Sequence, residues 1–260
     1  MKAIKVNLPE TLDSVEIHTF ADLHIGDKFC DMGLIKERIE AVKNNDRAYV
    51  ILNGDIVNNA TKTSVSDCYA EELSPMEQIS RFVELFEPIK DKIIAITSGN
   101  HENRTYNKEG VDITALCAKQ LGLGDVYTKT SALIFLRVGK AKRNHGRKNG
   151  QVCYTIYCTH GSGGGRKEGA KAIRLADMAS IVDADIYIHS HTHLPMTMKQ
   201  GFYRTDTSNS TFAIVDKLFV NTAASLNYGG YGEAFEFKPS STDTPIIHLS
   251  GKKKQFSASL

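Results

Sequence analysis

The chain has 260 residues, of which 41% are hydrophobic and 24% are charged, and its formal net charge is +2. These values are typical of an ordinary globular protein and allow one large α/β domain. The small net charge excludes a strong overall attraction to nucleic acid or membranes, but it allows a local basic surface.

The amino-terminal segment MKAIKVNLPETLDSV has neither an apolar core nor a small-residue cleavage site, so we expect no signal peptide. No apolar run is long enough to span a bilayer, so we expect no membrane segment. The five cysteines form no CxxC pair and are odd in number. Reduced thiols in a cytoplasmic protein are the simplest interpretation.

The first half of the chain alternates predicted strands and helices. Apolar runs predict strands at 15–22, 48–55 and 92–100, and amphipathic stretches predict helices at 32–45, 74–89 and 111–122. The helix at 74–89 has the clearest start. Ser74 is a suitable N-cap, Pro75 takes the first helical position and Glu77 lies three residues after the cap.

The pattern changes in the second half. Strands at 131–138 and 151–161 are joined by a long basic loop, and a helix at 167–182 precedes a strand at 184–190. From about residue 211 the chain is β-rich, and we expect this part to close a second sheet. The prediction is a single α/β domain over 1–260, with two packed mixed β-sheets forming a sandwich flanked by helices.

Polar side chains that can bind metals follow five of the predicted strands. They are Asp22 and His24, Asp55, Asn100 to Glu102, His160, and the histidines of His189 to His193. Any one of them alone would be explained as a cap, a turn residue or a packed histidine. Five such strand ends together favour one site, because sites in α/β sheets assemble at the carboxyl ends of strands.

Two pairs of these residues have a spacing with structural meaning. Asp22 and His24 are separated by one residue, as are His191 and His193, and residues i and i+2 of an extended segment point the same way. The donors are nitrogen and oxygen atoms, which suit manganese, iron, nickel or zinc. Seven ligands are too many for one tetrahedral ion and suit two ions that share a carboxylate.

The ordered motifs DLH, GDIVN, GNHE, THG and SHTH, between residues 22 and 193, resemble those of the calcineurin-like metallophosphoesterase superfamily. The later segment FVNTAAS (219–225) resembles one that follows the last histidine pair in several bacterial members. The resemblance implies a β-sandwich flanked by helices. It also implies two divalent metal ions, with manganese favoured and iron, zinc or nickel as alternatives.

The resemblance implies a role for each residue of the site. The first ion is held by Asp22, His24, Asp55 and His193. The second ion is held by Asp55, Asn100, His160 and His191, so that Asp55 bridges. His101 is the implied catalytic residue, which contacts the phosphate or protonates the leaving oxygen. His189 has no place in this shell, and we expect it to pack or hydrogen-bond behind the site.

The chain departs from the family pattern at two positions. Asn58 stands where the family has an aspartate, so a carboxylate that orients a ligand histidine is missing there. Ser190 stands where the family has a glycine, so a Cβ must fit into a turn that usually has bare backbone. Neither change removes an expected ligand.

The implied activity is hydrolysis of phosphate esters by a metal-bridging hydroxide, with His101 as general acid. Within this chemistry we favour a phosphodiesterase acting on nucleotides or nucleic acid such as DNA. The alternatives are a phosphomonoesterase, acting on nucleotides or proteins, and a non-catalytic metal-binding scaffold. The sequence leaves the oligomeric state and the native metals open.

Two arginines and one loop are candidates for substrate binding. Arg104 follows GNHEN, and Arg166 lies in HGSGGGRKEG, where glycines allow backbone amides to approach an anion. The loop 137–150 has six basic residues and no acidic residue. It is either a contact to a phosphate backbone or a solvated hairpin tip, and it joins the strand ends opposite His160.

Overall fold

The strands form two six-stranded sheets in a computed structural model that describes residues 1–64, 67–141, 150–163 and 165–260. In spatial order, the first sheet contains β1 (Lys2–Asn7), β6 (Ser131–Ala141), β7 (Gly150–Thr159), β8 (Ile186–His189), β10 (Thr211–Asn221) and β9 (Met196–Asp206). Strands β6 and β7 are antiparallel, as are β9 and β10, and the other neighbours in this sheet are parallel.

The second sheet is also mixed. In spatial order it contains β12 (Phe256–Ser259), β11 (Ile246–Ser250), β2 (Ser14–Phe20), β3 (Ala48–Asn53), β4 (Ile93–Thr97) and β5 (Tyr127–Thr128). Strands β2 to β5 are parallel, and β11 and β12 add two antiparallel strands at one edge. The parallel strands therefore deliver their carboxyl ends to one side of the sandwich.

Six α-helices in the described part of the chain accompany the sheets. They are α1 (Met32–Lys43), α2 (Pro75–Phe86), α3 (Asn100–Glu109), α4 (Ile113–Gln120), α5 (Glu168–Asp177) and α6 (Gly230–Ala234). Buried side chains between the sheets, such as Ile17 and Ile134, form the central core. A second cluster packs α1, α2 and α4 on the outer face of the second sheet, and a smaller cluster packs α5 on the first sheet.

Local sequence explains the helix ends. The Ser74 side chain accepts the backbone N–H of Glu77, whose carboxylate accepts the N–H of Ser74 in return, and Pro75 occupies the first helical position of α2. Helix α1 starts after Asp31, whose carboxylate accepts the N–H of Leu34 at 2.9 Å. The predicted start of the second helix is confirmed.

The predicted fold class is confirmed: two mixed sheets pack together, with helices on their outer faces. The expectation that the tail closes the second sheet is correct for β11 and β12 and wrong for β10. Strand β10 continues the first sheet, whereas β11 joins β2 in the other sheet. Parallel pairing of β10 with the short strand β8 accounts for the difference, because it extends the first sheet at that edge.

Strands β9 and β10 extend beyond the rest of their sheet. Strand β8 pairs only with Leu218–Asn221 of β10, so the outer halves of β9 and β10 pair only with each other. Tyr203, Phe212 and Ile214 lie exposed on this hairpin. The sequence did not predict β9, because seven of its eleven residues are polar or glycine and it lacks regular alternation.

The basic loop begins in the described part of the chain and then leaves it. Residues 142–149, with Lys142, Arg143, Arg147 and Lys148, lie outside the described residues. Of the remaining basic residues, Lys140 forms an ion pair with Glu10 at 3.4 Å. Gly150 pairs with Ala141 at one end of the β6–β7 hairpin and Thr159 pairs with Ser131 at the other, so the two described residues that flank 142–149 lie at the end opposite His160.

All five cysteines are free thiols. Among the described helices, none combines the length and the apolar character that crossing a membrane requires.

Candidate metal centre

The candidate site lies where strands of both sheets end. Asp22 follows β2, Asp55 follows β3 and Asn100 begins α3 just after β4. His160 follows β7, while His191 and His193 follow β8. Three strands of one sheet and two of the other therefore supply the side chains, which places the site at the seam between the sheets.

The predicted ligands form compact groups. Ligand atoms of Asp22, His24 and His193 lie within 4.8 Å of one another, as do those of Asp55, His160 and His191. A third group of the same size joins His24, Asp55 and His101. Asp55 thus belongs to a group on each side, which is the position that a bridging carboxylate needs.

His160 lies at the centre of the acidic side chains. Its Nδ1 donates to the backbone carbonyl of Asn53 at 2.8 Å, which directs Nε2 into the site. That Nε2 is 3.1 Å from Asp55 Oδ2 and 3.1 Å from Asn100 Oδ1. Burial opposes a charge on the imidazole, but the carboxylates of Asp55 and Asp22 outweigh it and raise the pKa of His160 to about 10.

Asp22 contacts both His191 and His193. Its Oδ2 accepts the backbone N–H of His191 at 3.0 Å, and its Oδ1 lies 3.0 Å from Nε2 of His193. Burial alone would raise the pKa of Asp22, but the imidazoles of His193 and His160 lower it to about 2. Burial lowers the pKa of His191 to about 4, so this imidazole is a neutral donor near pH 7.

The backbone of the site is left-handed at five of the expected ligands. The φ angles are 51° at Asp22, 50° at His24, 50° at Asp55, 65° at His191 and 54° at His193. Residues other than glycine rarely adopt this conformation, and each such residue costs on the order of 1–3 kcal/mol. The two pairs are therefore not extended, contrary to the prediction from their spacing, although both pairs do face one site.

Two glycines give the site its close packing. Gly54 has a φ of +82°, and a Cβ there would collide with the imidazole of His160 and the backbone of Gly99. A Cβ at Gly99 would collide with the carboxylate of Asp55. The glycines of GDIVN and GNHE are therefore required by the approach of the strand ends to the side chains between them.

Asn58 takes over the role of the expected aspartate. Its Oδ1 accepts from His24 Nδ1 at 3.3 Å, while its Nδ2 donates to Glu71 at 2.5 Å and to Asp27 at 3.2 Å. The two carboxylates fix which end of the amide is the donor. The negative charge that the family places beside the histidine lies here one hydrogen bond further away, on Glu71 and Asp27.

This arrangement leaves His24 Nε2 directed into the site. It is buried and has no hydrogen-bond partner among the described residues. An unpartnered buried imidazole nitrogen is costly, and a metal ion would satisfy it. Together with the nitrogen and oxygen donors around it, this atom makes the site a good fit for divalent metal ions.

Replacing Asn58 by alanine is expected to weaken metal binding about 10- to 100-fold, because His24 loses the partner that fixes its ring. A manganese titration by calorimetry measures this affinity. Asn209, which bonds Asp206 at the exposed β9–β10 turn, supplies the matched control Asn209→Ala. Unchanged affinity in Asn58→Ala would contradict the orienting role of the amide.

Glu102 hydrogen-bonds to the backbone that follows β3 and to the backbone that follows β4. Its Oε2 accepts the N–H groups of Gly99 at 2.8 Å and Asp55 at 3.1 Å, and its Oε1 accepts that of Val57 at 3.1 Å. Burial raises the pKa of Glu102 to about 7, and the nearby Asp55 carboxylate adds to the rise. The carboxylate therefore fixes the loop that presents Asp55 against the start of α3.

His101 and Arg104 lie together beside Asp55. His101 Nδ1 donates to the carbonyl of Asn58 at 2.7 Å, so Nε2 carries the lone pair and accepts from Arg104 Nη2 at 3.0 Å. The same Nε2 is 3.7 Å from Asp55 Oδ2. Arg166 is placed differently, because its guanidinium lies over the ring of Phe237 at 5.2 Å from the centroid.

Two buried asparagines that the sequence interpretation overlooked organise the site. Asn53 Nδ2 donates to the carbonyl of Thr159 at 2.8 Å and to Ser190 Oγ at 2.7 Å, which ties the second sheet to the first. The substitution of glycine by Ser190 thus adds a hydrogen bond across the seam. The available signal was an amide at the end of an otherwise apolar strand, AYVILN.

The other asparagine is Asn221, at the end of β10. Its Nδ2 donates to Thr192 Oγ1 at 2.8 Å and to the carbonyl of Leu194 at 2.5 Å, so its Oδ1 accepts from His189 Nδ1 at 3.0 Å. His189 therefore hydrogen-bonds behind the site, as expected. Together the two side chains hold the turn that carries His191 and His193.

A family model described as calcineurin-like phosphoesterase matches residues 16–195, an interval that contains every proposed ligand. No curated protein matches the chain.

The chain is similar to solved structures of vacuolar protein sorting 29 from Cryptosporidium parvum and of a metallophosphoesterase from Sphaerobacter thermophilus. The first is 14% identical with a TM-score of 0.45, covering 95% of this chain and 97% of that one. The second is 13% identical with a TM-score of 0.40, covering 95% and 89%. A third similar structure, the nuclease MPE of Pseudomonas putida, is 9% identical with a TM-score of 0.37, covering 93% and 86%.

Proposed function

Because the chain belongs to the calcineurin-like phosphoesterase family, we propose that it is a dinuclear metal-dependent phosphodiesterase acting on nucleotides or nucleic acid. The observation that carries the proposal is the set of ligand groups that meet around Asp55. Asp55 lies in one group with His160 and His191. It lies in a second group with His24 and His101, and His24 also belongs to the group of Asp22 and His193.

The proposed ligands divide between two divalent ions. The first is held by Asp22, His24, Asp55 and His193, and the second by Asp55, Asn100, His160 and His191. When bound, such ions polarise phosphoryl oxygens and make water a stronger nucleophile near neutral pH. A mixed set of carboxylate, amide and imidazole donors suits ions such as manganese, iron, zinc and nickel. Among these, manganese is the preferred candidate.

The remaining polar side chains of the site act on the substrate. Arg104 donates to His101 at 3.0 Å, so an incoming phosphate oxygen can take this guanidinium as its partner. His101 Nε2 is then released to hold a proton and to transfer it to the leaving oxygen. Arg104 is therefore proposed to bind the phosphate, and His101 to be the general acid.

Exposure at the edge of the site supports a large substrate. Asn100 is exposed, and the His193 side chain retains 35% of its accessible surface. Substrate can therefore reach both proposed ion positions from one side. A phosphodiester with long substituents on both sides needs such an open approach, which favours a diester over a compact monoester.

Purified protein loaded with manganese is expected to hydrolyse bis(4-nitrophenyl) phosphate and single-stranded DNA with a higher kcat/KM than 4-nitrophenyl phosphate. Chelation should reduce the activity to background, and added manganese should restore it, because the proposed ions activate both water and phosphate. Cyclic nucleotides complete the panel and test whether a free chain end is needed.

The other outcomes of this panel identify the alternatives. Turnover of the monoester alone would overturn the diester preference and indicate a phosphomonoesterase. Stoichiometric manganese binding without turnover of any substrate would indicate a metal-binding scaffold.

A further inference from the structure

A groove lies between α5 and the carboxyl ends of β7 and β8 in the first sheet. Its volume is about 370 Å³. Thr159, Gly161 and Ser162 line one side, and Arg174, Met178 and Ile181 line the other. Since Gly161 directly follows His160, the groove begins one residue from the proposed ligands.

The cation of this groove is Arg174 of α5. Its guanidinium packs against the backbone of Gly163, where a Cβ would collide with it, and the residue is exposed. No carboxylate of the described residues forms an ion pair with it, whereas Arg81 and Arg204 are paired with Glu84 and Asp183. A guanidinium held at a glycine without an acidic partner is suited to bind an oxyanion.

Other groups in the groove define what accompanies the anion. The His189 ring lies at the head of the groove against Gly161, and its Nε2 has no hydrogen-bond partner among the described residues. Ile181, which also lines the groove, is 64% exposed, whereas its neighbour in the lining, Met178, is buried. Asp177 also lines the groove and disfavours a second negative charge there.

We propose that this groove binds the nucleotide next to the scissile phosphodiester, with its phosphate on Arg174 and its sugar and base over Ile181. One cation followed by an apolar surface matches a single nucleotide unit, which presents one charged phosphate and one flat ring. The inference rests on the proposed function and narrows it, because such a subsite selects a polynucleotide over a mononucleotide or a cyclic nucleotide.

The variant Arg174→Ala tests the subsite by comparing two substrates. The ratio of kcat/KM for a short thymidine oligonucleotide to that for bis(4-nitrophenyl) phosphate is expected to fall about tenfold, because only the oligonucleotide has a neighbouring phosphate. Arg174→Lys should recover part of the loss. Arg81→Ala removes another exposed helical arginine, which does not line the groove, and should leave the ratio unchanged.

A binding measurement without metal gives a second readout. The affinity of metal-free protein for a fluorescein-labelled thymidine oligonucleotide, followed by anisotropy, is expected to fall about tenfold in Arg174→Ala. The slope of log affinity against log salt should decrease by about 0.7, the value for one lost phosphate contact on a single strand.

The outcomes separate the subsite from the proposed function. If the wild type cleaves bis(4-nitrophenyl) phosphate and Arg174→Ala keeps both the wild-type substrate ratio and the wild-type affinity, the subsite is overturned and the phosphodiesterase proposal stands. If the wild type cleaves no diester but binds the oligonucleotide through Arg174, the phosphodiesterase proposal fails and nucleotide binding in the groove is supported.

Discussion

Replacing Asp55 by asparagine is expected to lower kcat/KM by about a thousandfold or more and to prevent the binding of two manganese ions. Asp55 is the carboxylate common to both proposed ion positions. Losing the charge stabilisation of a bound ion costs several kcal/mol, which corresponds to about a thousandfold in rate. Calorimetric titration with manganese and assays on bis(4-nitrophenyl) phosphate measure the two effects.

The asparagine preserves the shape of the side chain and much of its local bonding. Its amide oxygen can still accept the backbone N–H of His101, which lies 2.8 Å from Asp55 Oδ1. We therefore expect the circular dichroism spectrum of Asp55→Asn to match the wild type. Asp91→Asn neutralises an exposed carboxylate away from the site and serves as the matched control. Two tightly bound manganese ions in Asp55→Asn would contradict the bridging role.

Replacing His101 by alanine is expected to reduce kcat about 10²- to 10⁴-fold on a dinucleotide, whose alkoxide leaving group needs a proton. The effect on bis(4-nitrophenyl) phosphate should be much smaller, because 4-nitrophenolate leaves without protonation. The manganese stoichiometry should remain that of the wild type, since His101 is not one of the proposed ligands. Steady-state kinetics on both substrates and metal analysis of the purified variant provide the test.

The contrast between the two substrates distinguishes a general acid from a packing residue. A residue that merely supports the site would affect both substrates equally. His248→Ala is the matched control, because His248 lies on β11 and bonds Ser259 at the opposite edge of the second sheet. Full turnover of the dinucleotide by His101→Ala with both ions bound would rule out the general-acid role.

Much of the second sheet was predictable from sequence, because each signal is local. Ser74, Pro75 and Glu77 specify the start of α2 by contacts within one helical turn. Apolar runs at β2, β3 and β4 end in the polar residues that the structure brings together. The position of the candidate site followed from these ends, since parallel strands place their carboxyl ends on one side.

Features that depend on tertiary contacts were not predictable. The left-handed conformations of Asp22 and His193 have no signature in residue type, because they are imposed by the strand ends that meet around them. Likewise Asn100 and His101 were assigned to a strand end, whereas they form the first turn of α3. Glu102 stabilises that start by accepting the N–H of Gly99.

Asn58 shows why a single departure from a family pattern is hard to interpret from sequence alone. The sequence indicated the loss of a carboxylate near a ligand histidine. The structure instead places the amide between His24 and two acids that carry no motif, Asp27 and Glu71, which lie 31 and 13 residues from Asn58 in the chain. Its effect depends on these neighbours, and only the fold brings them together.

The position of the site at the seam has a consequence for folding. Asp22 and Asp55 come from one sheet and His160, His191 and His193 from the other, so neither sheet contains the complete set of proposed ligands. With this proposed set, a nascent chain cannot bind metal with the native affinity until residue 193 has emerged and the two halves have docked. Bound ions then stabilise the docked state alone and favour it by mass action. Metal supply would thus control how long the completed sandwich persists as well as whether it reacts.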